Sequence, residues 1–121
     1  MTVNAALQSF FSSFGIVAYP TSALPSDAKF PFLTYEASIG DFDSGDINIS
    51  ANLWFYTESE ATPNAKAREI FDRLGRGGVL LPCDGGGLWI KRGTPFSQSL
   101  RDESDTTIKR RLINFDVEFV L

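Results

Sequence analysis

From Ile47 to Tyr56 the chain alternates without a break. Ile47, Ile49, Ala51, Leu53 and Phe55 are apolar, and Asn48, Ser50, Asn52, Trp54 and Tyr56 stand between them. Successive side chains of a strand point to opposite faces, so this stretch predicts a strand with one face buried. A helical pattern follows: Ala67, Ile70, Phe71 and Leu74 recur along one side, with Lys66, Arg68, Glu69, Asp72 and Arg73 on the other. Thr62 is placed to cap that helix and Pro63 to occupy its first turn, where a missing N–H costs nothing. Gly75 is placed to end it in the left-handed conformation. A strand and a helix that each carry one apolar face must cover one another. The segment from Asp46 to Gly75 therefore predicts the centre of a layered α+β unit.

The flanking chain extends the pattern. Val3, Leu7, Phe10, Phe11 and Phe14 form a second helical stripe, stopped by Gly15. Its opposite face offers Asn4, Gln8, Ser9, Ser12 and Ser13 but no basic residue, which favours core packing over a membrane surface. Ile16–Tyr19 reads as a short strand ended by Pro20, and Thr21–Lys29 as a loop. The next strand would set Leu33, Tyr35, Ala37 and Ile39 on one face, with Gly40 to Asp46 as a long hairpin connection. After the second helix, Val79–Leu81 is a brief apolar run cut by Pro82. Asp84–Gly87 reads as a turn and Leu88–Lys91 as a short strand. Gly93 to Asp105 reads as a polar connection anchored by Phe96 and Leu100. Thr106–Leu121 then predicts a long strand. Arg111, Ile113, Phe115, Val117, Phe119 and Leu121 lie on its core face; Arg110, Leu112, Asn114, Asp116, Glu118 and Val120 lie on the other. The expectation is one α+β domain over 1–121, mainly antiparallel, with two helices packed on the sheet.

The chemistry the chain can support is narrow. It has no histidine, which removes the commonest neutral-pH base and metal ligand. A net charge of -4 argues against direct nucleic-acid binding. Cys83 is the single cysteine, so no internal disulfide forms and a packed thiol in a reducing compartment is expected. No basic residue precedes the apolar N-terminal positions and no apolar run approaches a bilayer span, so a soluble product made in the cytoplasm is expected. Asp41-Phe42-Asp43-Ser44-Gly45-Asp46 begins like a calcium loop, but Asp46 and Asn52 fall where glycine and glutamate are required. The glycines at 75, 77, 78 and 85–87 lack a strand before and a helix after, so they read as turns rather than a phosphate cradle. Asp102, Glu103, Asp105, Asp116 and Glu118 could supply an acid–base pair, but their spacing singles out no two of them. Lys109-Arg110-Arg111 is the one basic cluster, with Lys91-Arg92 a candidate neighbour. On a strand Arg110 points opposite to Lys109 and Arg111. Pairing with Asp102, Glu103 or Asp105, or with a neighbouring subunit, is expected. No metal, cofactor or catalytic residue is expected.

Several phrases carry a resemblance. Phe30-Pro31-Phe32-Leu33-Thr34-Tyr35-Glu36 resembles the Phe-Pro-aromatic entry into a strand of tail completion and tail terminator proteins of long-tailed bacteriophages. The segment with Trp54 and Tyr56, followed by a helix with Ala65, Ile70 and Leu74, is similar to the same family, as is the closing strand Asp105 to Leu121. The resemblance implies a small α+β subunit without catalytic activity. Such subunits form a ring, commonly a hexamer, at the head-proximal end of the tail tube, between the tube protein and the head connector proteins of the virion. Asp41, Asp43, Asp46, Trp54, Lys109, Arg110 and Arg111 are the residues expected at the subunit interface. The readings kept beside it are a head–tail connector or minor capsid component, a small-ligand module using the aromatics, and a hydrolase using Asp102, Glu103 and Asp105.

Overall fold

The computed structural model describes residues 1–41, 46–101 and 104–121, and the side chains of 1–38, 47–100 and 104–121. Along the chain come α1 (Val3–Ser12), β1 (Val17–Pro20), a 3-10 turn (Thr21–Ala23), β2 (Phe32–Asp41) and β3 (Asp46–Tyr56). They are followed by α2 (Ala61–Leu74), β4 (Val79–Cys83), β5 (Gly86–Arg101) and β6 (Ile108–Val120). The strands form one six-stranded sheet in the order β1-β2-β3-β6-β5-β4. The fold is α+β, as expected. All neighbours are antiparallel except β1, which runs parallel to β2 from Val17↔Phe32 to Pro20↔Tyr35.

The alternating segment is β3, and it sits between β2 and β6. Ile47, Ile49, Ala51, Leu53 and Phe55 are all buried. Both helices cover this face. α1 touches β1 and β4, which stand at opposite ends of the strand order, so the sheet curls around that helix. The phenylalanine stripe fills the curl. Phe11 is fully buried, stacked on Tyr35 at 4.6 Å and edge-on to Phe115 at 5.5 Å. Phe10 meets Phe14 and Phe115 edge to face at 5.2 and 6.5 Å. α2 lies over β3, β5 and β6 and buries Pro63, Ala67, Ile70 and Leu74. Phe71, expected in the core, is only half-buried, and the Arg92 guanidinium lies 3.3 Å from its ring centre.

Other boundaries differ for identifiable reasons. α2 begins at Ala61, whose N–H is accepted by Ser59 Oγ at 3.1 Å, so Thr62 is inside the helix and does not cap it. Pro63 still falls in the first turn, where no carbonyl awaits its nitrogen. Gly75 ends the helix at φ 63 and ψ -171, a positive φ as expected but with an extended rather than left-handed helical ψ. Pro82 does not cut β4, because β4 is an edge strand and one of its sides needs no donors. Ala37 keeps the face of Leu33 and Tyr35 but is exposed there, and Leu121, beyond the end of β6, is exposed as well.

The largest difference is β5. The expected short strand and polar connection are one strand with a bulge inside it. Its pairing jumps from Arg92↔Phe115 to Ser97↔Ile113, leaving Gly93 to Phe96 opposite Asn114 alone. A Cβ on Gly93 would sit 2.5 Å from the Asn114 carbonyl oxygen, so only glycine permits this approach. Asn114 Nδ2 donates to the Pro95 carbonyl at 2.8 Å and closes the bulge. Phe96 then packs edge-on to Phe71 at 5.2 Å.

Two outcomes follow from this packing. Phe115→Ala removes a ring that is 7% exposed and touches α1 from below, and is expected to cost about 3–5 kcal/mol in denaturant unfolding. Phe71→Ala, half in solvent, is expected to cost about 1–2 kcal/mol. Equal losses at the two positions would contradict this placement of the core. Burial also raises the Tyr35 phenol above its ordinary 10.0. The folded state then holds that proton more tightly than the unfolded one, so the stability it contributes is intact below pH 10.0 and lost as pH rises further. Unfolding midpoints measured across that range should fall less steeply for Tyr35→Phe than for the parent.

Candidate functional site

The sheet face turned away from the helices carries no further layer among the described residues. Register fixes what lies there. One row runs straight across five strands: Val17 on β1, Phe32 on β2, Trp54 on β3, Arg110 on β6 and Leu100 on β5. The row is apolar apart from one cation. Phe32 and Trp54 stack at 6.1 Å, and the Arg110 guanidinium lies 5.1 Å from the Trp54 ring centre. The Trp54 indole N–H donates to Thr34 Oγ1 at 3.0 Å, and Arg110 Nε donates to Asn52 Oδ1 at 2.8 Å. Tyr19 and Phe30 flank Phe32 at 6.3 and 5.2 Å, and Phe30 reaches Tyr56 at 5.8 Å. This patch is not closed over: Val17 is 56% exposed, Phe30 39% and Tyr56 61%.

Farther along the same face the chemistry turns polar. Asn52, Ser50 and Asn48 lie opposite Leu112, Asn114 and Asp116. Lys91 there bridges Asp116 at 3.7 Å and Glu118 at 3.2 Å, four residues or more from the Lys109–Arg111 cluster it was expected to join. The acidic expectation at Asp41, Asp43 and Asp46 falls largely outside the described residues. Asp43 lies there entirely, and Asp41 and Asp46 are described in backbone only, as a pair closing the β2–β3 ladder.

The basic cluster divides as alternation requires. Arg110 joins the outer row, while Lys109 and Arg111 turn to the helix side and are buried. Arg111 is 2% exposed; it pairs with the Glu60 carboxylate and donates through Nε to Asn64 Oδ1 at 3.0 Å. Lys109 Nζ donates to the Thr106 carbonyl. These two residues fasten β6 to the start of α2 and the preceding turn, so they cannot serve an interface as expected. The signal was present in the sequence, because Arg111 shares the parity of Ile113, Phe115 and Val117.

The acid–base alternative gains nothing. Asp102 and Glu103 lie outside the described residues, and Asp105 Oδ1 accepts the Thr107 N–H at 2.9 Å within a turn. Among the described residues no group of three acidic or cysteine side chains could hold a metal ion. Cys83 is a free, half-buried thiol packed against the core. No helix among the described residues is long and apolar enough to cross a membrane. No protein-family model, no curated protein and no solved structure matches the chain.

Arg111 and Arg110 should separate cleanly in mutagenesis. Arg111→Ala strips Glu60 and Asn64 of their partner and opens a cavity beside α2, an expected cost of about 2–3 kcal/mol. Arg110→Ala loses one outer contact and is expected to cost below about 1 kcal/mol. Similar thermal shifts for the two variants would contradict the division of the cluster.

Proposed function

We propose that this chain is a structural subunit of a long-tailed phage or prophage virion, a tail terminator or completion protein. Its copies close a ring, commonly of six in the family it resembles, at the head-proximal end of the tail tube. One observation carries the reading: the row Val17–Phe32–Trp54–Arg110–Leu100 on the outer face of the sheet. Val17 is exposed, Trp54, Arg110 and Leu100 are half-buried and Phe32 is covered by its neighbouring rings, with Phe30 and Tyr56 exposed beside it. A contiguous apolar patch left in water is costly to solubility, and such patches on folded domains mark contacts with other chains. Tryptophan, tyrosine and arginine are the residue types that dominate such contacts. The acidic end of β3 at Asp46 and the Trp54–Arg110 end lie about 27 Å apart along one strand at roughly 3.4 Å per residue. That separation suits a heterologous contact, in which the two ends of successive copies meet and the contact repeats around a ring. On this reading the chain catalyses nothing. Its partners are its own copies, the tail tube protein and the head connector, and Arg110 sets orientation while the aromatics supply affinity.

The reading is tested on tails. Arg111 is a packing residue, so charge reversal is confined to Arg110→Glu, with Trp54→Ala beside it. Trp54→Ala is expected to weaken ring formation on purified tubes by at least about 2 kcal/mol, or roughly thirtyfold. This is beyond the loss of about 1–2 kcal/mol in stability that its stacking on Phe32 and hydrogen bond to Thr34 imply and that a melting curve reads separately. Loss of the whole protein is expected to leave tubes of uncontrolled length in electron micrographs. Tails of normal length that fail to join heads would point instead to a connector, and normal tails joined to heads would end both readings.

A further inference from the structure

Strands at the edge of a sheet expose unpaired N–H and C=O groups, and proteins shield them with proline, short length, charge or a covering element. Both outermost strands are shielded here. β1 has 4 residues and ends in Pro20, β4 contains Pro82, and α1 packs against both. The second half of β5 has Pro95 and a bulge just before it and Arg101 at its end, but no strand covers it among the described residues. β4 pairs only with Gly86–Ile90, so past Lys91 the outer side of β5 meets no strand among the described residues. Its inner side stays in register with β6 from Ser97↔Ile113 to Arg101↔Lys109. Ser97, Gln98 and Ser99 are exposed, and no lysine or proline interrupts Ser97–Arg101. The bulge at Gly93–Phe96 precedes this segment and leaves its ladder regular.

We propose that this edge pairs with the same edge of a second copy, antiparallel and centred on Ser99. The second copy offers no other open edge among the described residues, since its β1 and β4 are shielded in the same way. Centring on Ser99 sets Ser99 against Ser99, Gln98 against Leu100 and Ser97 against Arg101. No two like charges are opposed, and the small serines let the strands approach. The symmetry axis stands perpendicular to the sheet, so the two sheets become one and both outer faces point the same way. This contact is distinct from the ring contact proposed above: it is isologous and closes on a pair, whereas a ring needs two different surfaces.

The test uses the full chain with Cys83→Ser, carrying either Ser99→Cys or, as a control at an exposed position away from the edge, Ser22→Cys. Directly opposed residues of antiparallel strands have Cα atoms about 4.5–5.5 Å apart, within disulfide range. Ser99→Cys is expected to give mostly covalent dimer under mild oxidation and Ser22→Cys little. Light scattering of the parent is expected to read twice 13.3 kDa. A single-chain mass, or cross-linking at Ser99 no faster than at Ser22, overturns the proposal. Trp54→Ala separates the two contacts: it should leave Ser99 cross-linking intact even where ring formation on tubes is lost.

Discussion

Phe11 ties α1 to the inner strands of the sheet, β2 and β6. Its ring is fully enclosed, stacked on Tyr35 of β2 and edge-on to Phe115 of β6, while the rest of α1 reaches β1 and β4. A six-stranded sheet twists by the steric preference of its strands, and it curls far enough to bring both ends near one helix only if something fills the concave side. The phenylalanine stripe is that filling. Its polar neighbours are satisfied in place: Gln8 accepts the Tyr35 hydroxyl at 2.5 Å and donates to the Ala18 carbonyl at 2.9 Å. With both helices inside the curl, the opposite face is left bare. The partly exposed outer row, with Phe32 itself covered by neighbouring rings, is thus a consequence of where α1 packs, not an independent feature.

Arg111 has a comparable role at the other helix. An arginine this buried is tolerable because Glu60 and Asn64 take its donors, and both lie at the start of α2. Lys66 ties the far side of the same helix back to α1 by donating to the Phe14 carbonyl at 2.7 Å. Two cations, Arg111 and Lys66, therefore knit the helical layer together. Arg110, one residue away, is left to the outer face. The single-residue step between a structural and an exposed arginine follows from the period of two in a strand.

Features with a strong local period were legible in the sequence: the inward face of β3, the α1 stripe and the split of Arg110 from Arg111. Those set by distant pairing were not. Gly93 and Pro95 carry the usual signs of a turn, yet the register of β6 draws them into β5 as a bulge, with Asn114 as its clasp. Pro82 reads as a strand breaker until β4 is known to be an edge. Thr62 does not cap α2: Glu60 is at the N-cap position and Ser59 Oγ, one residue earlier, accepts the Ala61 N–H. The aromatic row escaped detection as a unit since its members are spread from Val17 to Arg110 and meet only through the strand order. Trp54 and Arg110 were each singled out, by their place on the second faces of β3 and β6, but not as neighbours.

The row and the β5 edge ask different things of a partner. A patch of rings attracts without much direction, because burial of apolar area is indifferent to small rotations. Direction comes from Arg110, and Arg110 is already oriented: Nε is bound to Asn52 and the guanidinium rests against Trp54. An arginine fixed before contact loses less rotamer entropy on binding than a mobile one. Its terminal nitrogens make no bond among the described residues and stand ready for an acceptor on a neighbouring chain. An exposed strand edge, by contrast, dictates spacing and polarity through its backbone and leaves the identity of side chains open. On the two proposals, the outer face would hold a neighbour with side-chain specificity and the edge would hold a second copy with backbone geometry. Leu100 is common to both proposed contacts, as the last residue of the outer row and as a member of the β5 edge.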